Sequence, residues 1–289
     1  MPPLAYHAPE TIDNAVALLA GDPDARLLAG GTDLLVQLRA GRIAPSAIID
    51  LKHIAGMIGV RQRMGGFAIG AATPCTALLE DGALVAAWPG VVEAANLIGS
   101  VQVRNRATMA GNLCNASPAA DSVPALIAAG ARCLIAGPGG TREVAVTEIP
   151  INPGRTSLTA GEFIAEIYLP ARPIGGGDAY LRSIPRSEMD IAVVGAAAAL
   201  VLDAGGTCTS ARIALGAIAP TALLVTEAGS ALVGTRLEDA ALEAMADAVR
   251  AACRPISDKR GSADYRIAMA AVLAKRTVEI AAKRAGENA

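Results

Sequence analysis

The N-terminal part of the chain alternates short apolar runs with stretches of helical periodicity. Apolar residues at helical spacing predict a helix over residues 11–20, with Thr11 as its N-cap. An apolar run at 26–29 leads into a pair of glycines, a second helical period covers 34–41, and a strand is predicted at 47–51. The order strand, glycine turn, helix, strand is typical of an α/β unit.

The middle of the chain continues this alternation around one long polar segment. Residues 99–120 are rich in Asn, Gly and Ser, and structureless loops longer than about 12–15 residues are usually functional. We therefore predict that this segment is a functional loop. The elements predicted around it are a strand at 67–70, a helix at 73–79, a helix at 84–97 that is interrupted at Pro89 and Gly90, a helix at 121–129, and a hairpin formed by 132–135 and 143–146.

Two prolines and three consecutive glycines between residues 170 and 177 mark a boundary in the chain. At about 150 residues per domain, the 289 residues fit two domains, which we place at 1–176 and 177–289. Beyond the boundary, strands are predicted at 179–184, 192–202 and 211–217, and helices at 221–233, 237–252 and 262–284. This order predicts an α+β layer in which helices cover one face of an antiparallel sheet of three or four strands.

The composition excludes several classes of protein. Apolar residues make up 53% of the chain and charged residues 18%, which is incompatible with a disordered chain. A formal charge of −2 and an aromatic content of 2% argue against a nucleic-acid partner. The longest uncharged run, residues 64–79, is too short for a transmembrane segment and contains glycine and proline. Because residues 1–10 also lack a secretory signal, we expect a cytoplasmic protein whose apolar surplus is buried in its cores or against other chains.

Candidate catalytic and metal-binding residues are scarce. His7 and His53 are the only histidines, which disfavours a histidine-based triad or metal site. The five cysteines are scattered and form no C-x-x-C pair, which disfavours a zinc or iron–sulfur site. The phosphate-loop, Rossmann and nucleophile-elbow motifs are also absent from the sequence. We therefore predict no catalytic residue and no metal ligand in this chain.

The first candidate binding segment consists of Ala29, Gly30, Gly31, Thr32 and Asp33. Two adjacent residues without Cβ atoms let successive N–H groups face an anion, and the helix that follows points its positive end at the same place. Thr32 adds a hydroxyl donor, and Asp33 fits the N-cap of that helix. A plain turn into a capped helix is the alternative that these residues leave open.

The second candidate segment consists of Thr108, Ala110, Gly111 and Asn112, inside the long polar segment. It offers a hydroxyl, exposed backbone and a side-chain amide. A helix terminus contributes up to about 2 kcal/mol to anion binding, whereas nanomolar binding requires about 12 kcal/mol in total. One segment is therefore not enough to hold a diphosphate, and both segments would have to converge on it. A self-satisfied polar turn is the alternative. Asp121, which opens the next predicted helix, is either an N-cap or an acceptor for ribose hydroxyls.

Four segments taken in order resemble a known family. They are AGGTDLL (29–35), QVRNRATMAGNLCNASPAADSVPAL (102–126), YLRSIPRSEMDIAVVG (180–195) and SDKRGSADYR (257–266). Together they closely resemble the FAD-binding medium subunit of the xanthine dehydrogenase and carbon monoxide dehydrogenase family of molybdenum hydroxylases. The resemblance covers essentially the whole chain. It implies a vanillyl-alcohol-oxidase-type FAD-binding domain of two α/β subdomains, at about 1–55 and 56–176, followed by a C-terminal α+β domain.

The resemblance also implies roles for individual residues. In the family the two glycine-bearing segments wrap the FAD diphosphate, an acidic residue contacts the ribose or adenosine end, and a basic residue lies at the flavin end. The acidic residue is Asp121 here, and the basic residue is Arg182. Ala165 is also assigned to the cofactor site. The residues of the two segments are Ala29, Gly30, Gly31, Thr32, Asp33 and Leu34 in the first, and Thr108, Ala110, Gly111 and Asn112 in the second. Ala110 stands where the family usually has glycine, which costs about 1 kcal/mol if the position needs a positive φ. Arg182 stands where many relatives carry lysine.

The function implied by the resemblance is electron transfer. Substrate would be oxidised at a molybdopterin cofactor in a large partner, and electrons would pass through [2Fe–2S] clusters of a small partner to the FAD of this chain and then to an external acceptor. The expected assembly is a dimer of such heterotrimers, in the cytoplasm or held at the inner face of the membrane through the complex. The alternatives are a free-standing FAD oxidoreductase with its own substrate site, and an interaction protein that has lost its flavin.

Overall fold

The computed structural model describes residues 4–288, which form an α+β protein, as predicted. The strands are β1 Ala5–His7, β2 Arg26–Leu28, β3 Ala47–Asp50, β4 Val60–Arg63, β5 Gly66–Gly70, β6 Arg132–Gly137, β7 Gly140–Ala145, β8 Pro150–Asn152, β9 Arg155–Thr156, β10 Phe163–Leu169, β11 Gly176–Ser183, β12 Val194–Leu202, β13 Cys208–Gly216 and β14 Leu223–Leu224. The α-helices are α1 Ile12–Gly21, α2 Leu34–Arg39, α3 Cys75–Glu80, α4 Gly82–Ala87, α5 Pro89–Asn96, α6 Val101–Arg104, α7 Met109–Cys114, α8 Ser122–Ala128, α9 Thr226–Ser230, α10 Asp239–Ala252 and α11 Ala263–Glu287.

The first sheet is parallel and has the strand order β1-β3-β2, with α1 and α2 in its connections. Thr11 is the N-cap of α1, as predicted, and its hydroxyl accepts the N–H of Asn14 at 3.2 Å. The sequence does not predict β1, because all three of its residues are exposed and the strand carries no alternating pattern. This small sheet places the turn after β2 at its edge, where the first candidate segment begins.

The second sheet is antiparallel, in the order β4-β5-β10-β6-β7, and includes the predicted hairpin as β6 and β7. The predicted interruption of the 84–97 helix at Pro89 is confirmed: the segment forms two helices, α4 and α5, because Pro89 starts a new helix at its first position. The prediction of a loop at 99–120 is wrong over much of its length. That segment contains α6 and α7, whose N-caps Ser100 and Thr108 each accept a backbone N–H.

The third sheet is antiparallel, in the order β11-β12-β13-β14, so four strands rather than three are present in the described chain. Helix α11 packs on β11 and β12, but α5 and α8 cover the opposite face. The expectation of helices on one face is therefore wrong, and β12 is apolar along its length because both of its faces are buried. The helix predicted at 221–233 is replaced by β14 and the shorter α9, because Leu223 and Leu224 pair with β13.

Two hydrophobic cores bury many of the apolar residues that make up 53% of the chain. One lies beneath the first two sheets, and the other lies between the third sheet and the helices α10 and α11. Strand β12 serves both cores, because Ala197 faces the first while Ala196 and Ala198 face the second. Within residues 4–288, none of the helices is both long enough and apolar enough to cross a membrane.

Candidate cofactor site

The first candidate segment turns from β2 into α2 through its two glycines. Gly31 has a φ of +79°, in the left-handed region that favours glycine. Gly30 has a different reason to be glycine, because a Cβ atom there would lie 2.0 Å from the carbonyl oxygen of Arg106. The side chain of Arg106 also contacts Gly30, because its Nε donates a hydrogen bond to the Gly30 carbonyl oxygen at 3.4 Å. The first segment is therefore in direct backbone contact with the residues that precede Thr108.

The second candidate segment is the first turn of α7 and not a loop. Thr108 is buried, and its Oγ1 accepts the Gly111 N–H at 2.9 Å, which fixes the start of the helix. Ala110 lies inside this helix and has no positive φ, so the expected cost of replacing glycine does not arise. Each glycine-bearing segment thus lies at the start of a helix, α2 for the first segment and α7 for the second.

The backbone donors at this meeting point have no acceptors in the protein. Within the described chain, the N–H groups of residues 30–34 donate no hydrogen bond, and neither do those of Met109 and Ala110. Unpaired N–H groups that converge at two helix starts are the donors that a phosphate oxygen requires. This arrangement favours anion binding over a self-satisfied polar turn.

The two segments line one cavity of about 310 Å³, a size typical of ligand sites. The predicted residues that line it are Ala29, Gly30, Gly31, Thr32, Asp33, Leu34, Thr108, Ala110, Gly111 and Asn112. The lining residues that were not predicted are mostly apolar and include Leu51, Ala71, Ile98, Ala107, Cys114, Leu158, Phe163 and Ile164. Ala107 and Cys114 lie within the 102–126 segment, but no local motif marks the others, because they reach the cavity from β10 and from turns and loops far apart in the sequence.

Asp33 does not cap α2, so that prediction is wrong. The residue itself is helical (φ −95°, ψ −48°), and its side chain makes no hydrogen bond to the helix N–H groups. Its Oδ1 instead accepts the side-chain amide of Asn115 at 3.3 Å, and burial raises the pKa of Asp33. Within residues 4–288, the N–H groups of Asp33 and Leu34 at the start of α2 therefore have no acceptor.

Asp121 and Arg182 form a buried ion pair outside the cavity lining. The Asp121 Oδ2 lies 2.5 Å from Arg182 Nη1, and its Oδ1 accepts the Tyr180 hydroxyl at 2.9 Å. Asp121 makes no N-cap hydrogen bond, so the capping alternative is wrong. Burial raises the pKa of Asp121 to about 6, and Arg182 acts in the opposite direction. The Nε of Arg182 is buried without an acceptor among the residues described here.

Ala165 is also buried and does not line the cavity. Its carbonyl accepts the N–H of Ala71 at 3.0 Å, so it supports a lining residue from behind, and its neighbour Ile164 lines the cavity instead. Over residues 4–288, no group of three or more His, Cys, Asp and Glu side chains is placed to hold a metal ion.

Comparisons with known proteins place this α+β chain in one family. The family described as FAD binding domain in molybdopterin dehydrogenase matches residues 2–172, and CO dehydrogenase flavoprotein C-terminal domain matches residues 179–281. The carbon monoxide dehydrogenase medium chain of Afipia carboxidovorans is 37% identical over 97% of both chains. The xanthine dehydrogenase FAD-binding subunit of Escherichia coli O157:H7 is 33% identical over 98% of this chain and 97% of its own.

Solved structures agree with the sequence comparisons. A structure of Cu,Mo-CO dehydrogenase in its cyanide-inactivated form has a TM-score of 0.94 and 36% identity, over 98% of this chain and 99% of the other. Quinoline 2-oxidoreductase from Pseudomonas putida 86 has a TM-score of 0.90 and 30% identity over 99% of both chains. The chain therefore belongs to the family of FAD-binding subunits of molybdopterin dehydrogenases, and the predicted resemblance is confirmed.

Proposed function

We propose that this chain is the FAD-binding electron-transfer subunit of a molybdenum hydroxylase. In this proposal a large partner carries the molybdopterin cofactor, and a small partner carries [2Fe–2S] clusters. Electrons pass from those clusters to FAD in this chain and then to an external acceptor. The names of the relatives, which are medium chains and FAD-binding subunits, favour this proposal over a free-standing oxidoreductase.

The observation that carries the proposal is the convergence of unpaired N–H groups where Gly30 meets Arg106. FAD bound there would supply the redox chemistry, and the chain would supply binding and orientation. The N–H groups of residues 30–34 and of α7 would hold the diphosphate, and Thr32 would add its hydroxyl. The apolar wall that includes Phe163 and Ile164 would exclude water from the flexible middle of the cofactor.

Arg182 is proposed to act at the flavin end. Asp121, which the resemblance assigns to the ribose or adenosine end, is paired with Arg182 and is therefore proposed to act beside it. The ion pair fixes the Arg182 guanidinium, and its buried Nε remains a donor without an acceptor. A fixed positive charge near a flavin stabilises negative charge that develops on the ring system. Because the Asp121 carboxylate is engaged by Arg182 and Tyr180, its proposed part is to position Arg182. Ala165 is proposed to support the cofactor through the wall at Ala71.

The remaining proposals concern organisation. We place an FAD-binding domain at 1–176, with subdomains at about 1–55 and 56–176, and a C-terminal domain at 177–289. The two family matches end at 172 and begin at 179, which supports this division. A dimer of heterotrimers and a cytoplasmic location complete the proposal.

The test compares the chain alone with the chain in its complex. Full-length protein loaded with FAD is mixed with reducing substrates of the complex, and the visible absorption of the flavin is followed. The proposal predicts flavin reduction only when the molybdenum and iron–sulfur partners are present. Substrate-dependent reduction by the chain alone would instead establish a free-standing oxidoreductase.

A further inference from the structure

A network formed by Tyr6, Asp50 and Lys52 supports the first candidate segment from outside the cavity. Strands β2 and β3 are parallel, and Leu28 pairs with Asp50, so both chains leave the sheet at the same edge. Ala29 follows Leu28 directly, and Lys52 comes two residues after Asp50. The Lys52 Nζ donates to the carbonyl oxygen of Ala29 at 3.1 Å. Lys52 itself does not line the cavity, so it contacts the segment from behind.

Asp50 holds the Lys52 ammonium group in place. Its Oδ1 accepts the Lys52 Nζ at 2.6 Å and the Lys52 backbone N–H at 3.0 Å, and its Oδ2 accepts the Tyr6 hydroxyl at 2.7 Å. Burial alone would raise the pKa of Asp50, but the hydrogen bonds from Lys52 and Tyr6 outweigh burial and lower it, so the carboxylate is charged. A buried carboxylate with both oxygens engaged gives the lysine one fixed position.

Consecutive carbonyl groups of the first segment are held by cationic side chains. Lys52 holds the carbonyl of Ala29, and Arg106 donates to the carbonyl of Gly30 at 3.4 Å. A trans peptide group is planar, and its C=O and N–H bonds point in opposite directions. The N–H groups of Gly30 and Gly31 therefore point away from these two side chains, and within residues 4–288 neither N–H donates a hydrogen bond. Lys52 and Arg106 thus fix the directions of two consecutive free donors.

We propose that Lys52 is a positioning residue of the diphosphate site. It holds the peptide group between Ala29 and Gly30 so that the Gly30 N–H is free to bind a phosphate oxygen, and Asp50 acts through Lys52. This role rests on the proposed FAD site, because the Gly30 N–H is one of the donors assigned to the diphosphate. The pair of Lys52 and Asp50 carries no net charge, so its effect comes from the direction of the N–H bond and not from added positive charge.

Titration of the flavin-free full-length chain with FAD, followed by flavin fluorescence, tests this role. Lys52→Met removes the donor and should raise the Kd for FAD about tenfold, because a hydrogen bond to a charged group is weakened. Lys52→Arg keeps a cationic donor and should bind FAD within about threefold of the wild type. Lys275→Met is the matched control. The Lys275 side chain is 26% exposed, as is that of Lys52, and it pairs with Glu243 of α10, so its loss should leave the Kd unchanged.

A double variant separates positioning from charge. Lys52→Met alone leaves the Asp50 carboxylate without its cation, and that carboxylate would itself repel a diphosphate. Lys52→Met combined with Asp50→Asn removes both charges and should still raise the Kd about tenfold, because the Ala29 carbonyl has lost its donor. A double variant that binds FAD as tightly as the wild type would overturn the positioning role. If Lys52→Met does not fold, the double variant, which leaves no buried carboxylate unpaired, carries the test.

The remaining outcomes separate this role from the proposed function. Urea unfolding of each variant without FAD measures stability independently. If Lys52→Met lowers the stability but binds FAD as tightly as the wild type, Lys52 is a structural residue only and the positioning role is wrong, while the proposed function stands. If the folded wild type and Lys275→Met also fail to bind FAD, the proposed function fails and the role of Lys52 fails with it.

Discussion

Gly30→Ala is the substitution that most sharply separates a cofactor site from an ordinary turn. The added Cβ would lie 2.0 Å from the Arg106 carbonyl oxygen and 2.7 Å from its carbonyl carbon. Ordinary contacts are about 3.5 Å, so the two segments must separate by about 1.5 Å. A hydrogen bond of about 2.9 Å stretched by that amount is lost. Loss of one or two bonds to a charged diphosphate costs about 3 kcal/mol, which is about 100-fold in the Kd for FAD.

The assay is a titration of the flavin-free full chain with FAD, followed by the change in flavin fluorescence. Gly21→Ala is the matched control, because a Cβ at Gly21 has no neighbour within 4 Å, and its FAD affinity should equal that of the wild type. Urea unfolding of both variants without FAD separates lost binding from lost stability. If Gly30→Ala binds FAD within threefold of the wild type, the two segments do not hold the diphosphate together.

Three further predictions concern Thr108, Arg182 and the surface ion pair of Arg142 with Glu162. Thr108→Ala should lower the free energy of unfolding by about 1 kcal/mol and weaken FAD binding, because the N-cap hydroxyl is lost. Thr108→Ser keeps that hydroxyl and should leave the stability and the FAD affinity unchanged. Equal stability of the Ala and Ser variants would contradict the capping role. Arg182→Met leaves the buried Asp121 carboxylate without a cationic partner. The free energy of unfolding, measured with urea, should fall by about 3–5 kcal/mol. A fall of less than about 1 kcal/mol would refute the ion pair. Arg142 lowers the pKa of Glu162 from its ordinary 4.5 to about 2, so the stability from this pair is present above pH 4.5 and is lost as the pH falls toward 2. Glu162→Gln should flatten the unfolding free energy over that range, and an unchanged slope would show that other groups cause it.

The two candidate segments could be picked out from the sequence because each carries a local signal. Adjacent glycines, a threonine hydroxyl and small residues around it can be recognised without knowledge of the fold. The helix that begins after Thr108 was predicted as a loop. The reason for Gly30 could not be recognised in this way. Its partner is the carbonyl of Arg106, which lies far along the chain and meets Gly30 only in the folded structure.

Side-chain partners were predicted less well than segments. Asp33 and Asp121 both precede predicted helices and fit N-caps, yet both are helical in conformation and bond to distant side chains. Asp33 pairs with Asn115, and Asp121 pairs with Arg182 of the third sheet. Tertiary contacts thus override a local preference worth about 1 kcal/mol. The apolar lining, such as Phe163, was missed for the same reason, since burial against a cofactor leaves no periodic signal that differs from core packing.

Stoichiometric binding of FAD tests the central claim most directly. Flavin-free full-length chain is titrated with FAD, and bound and free flavin are separated by gel filtration. The converging N–H groups of residues 30–34 and of α7 predict saturation at one FAD for each chain, with the flavin retained through the column. A folded chain that takes up no FAD would contradict the account and would favour an interaction protein that has lost its flavin.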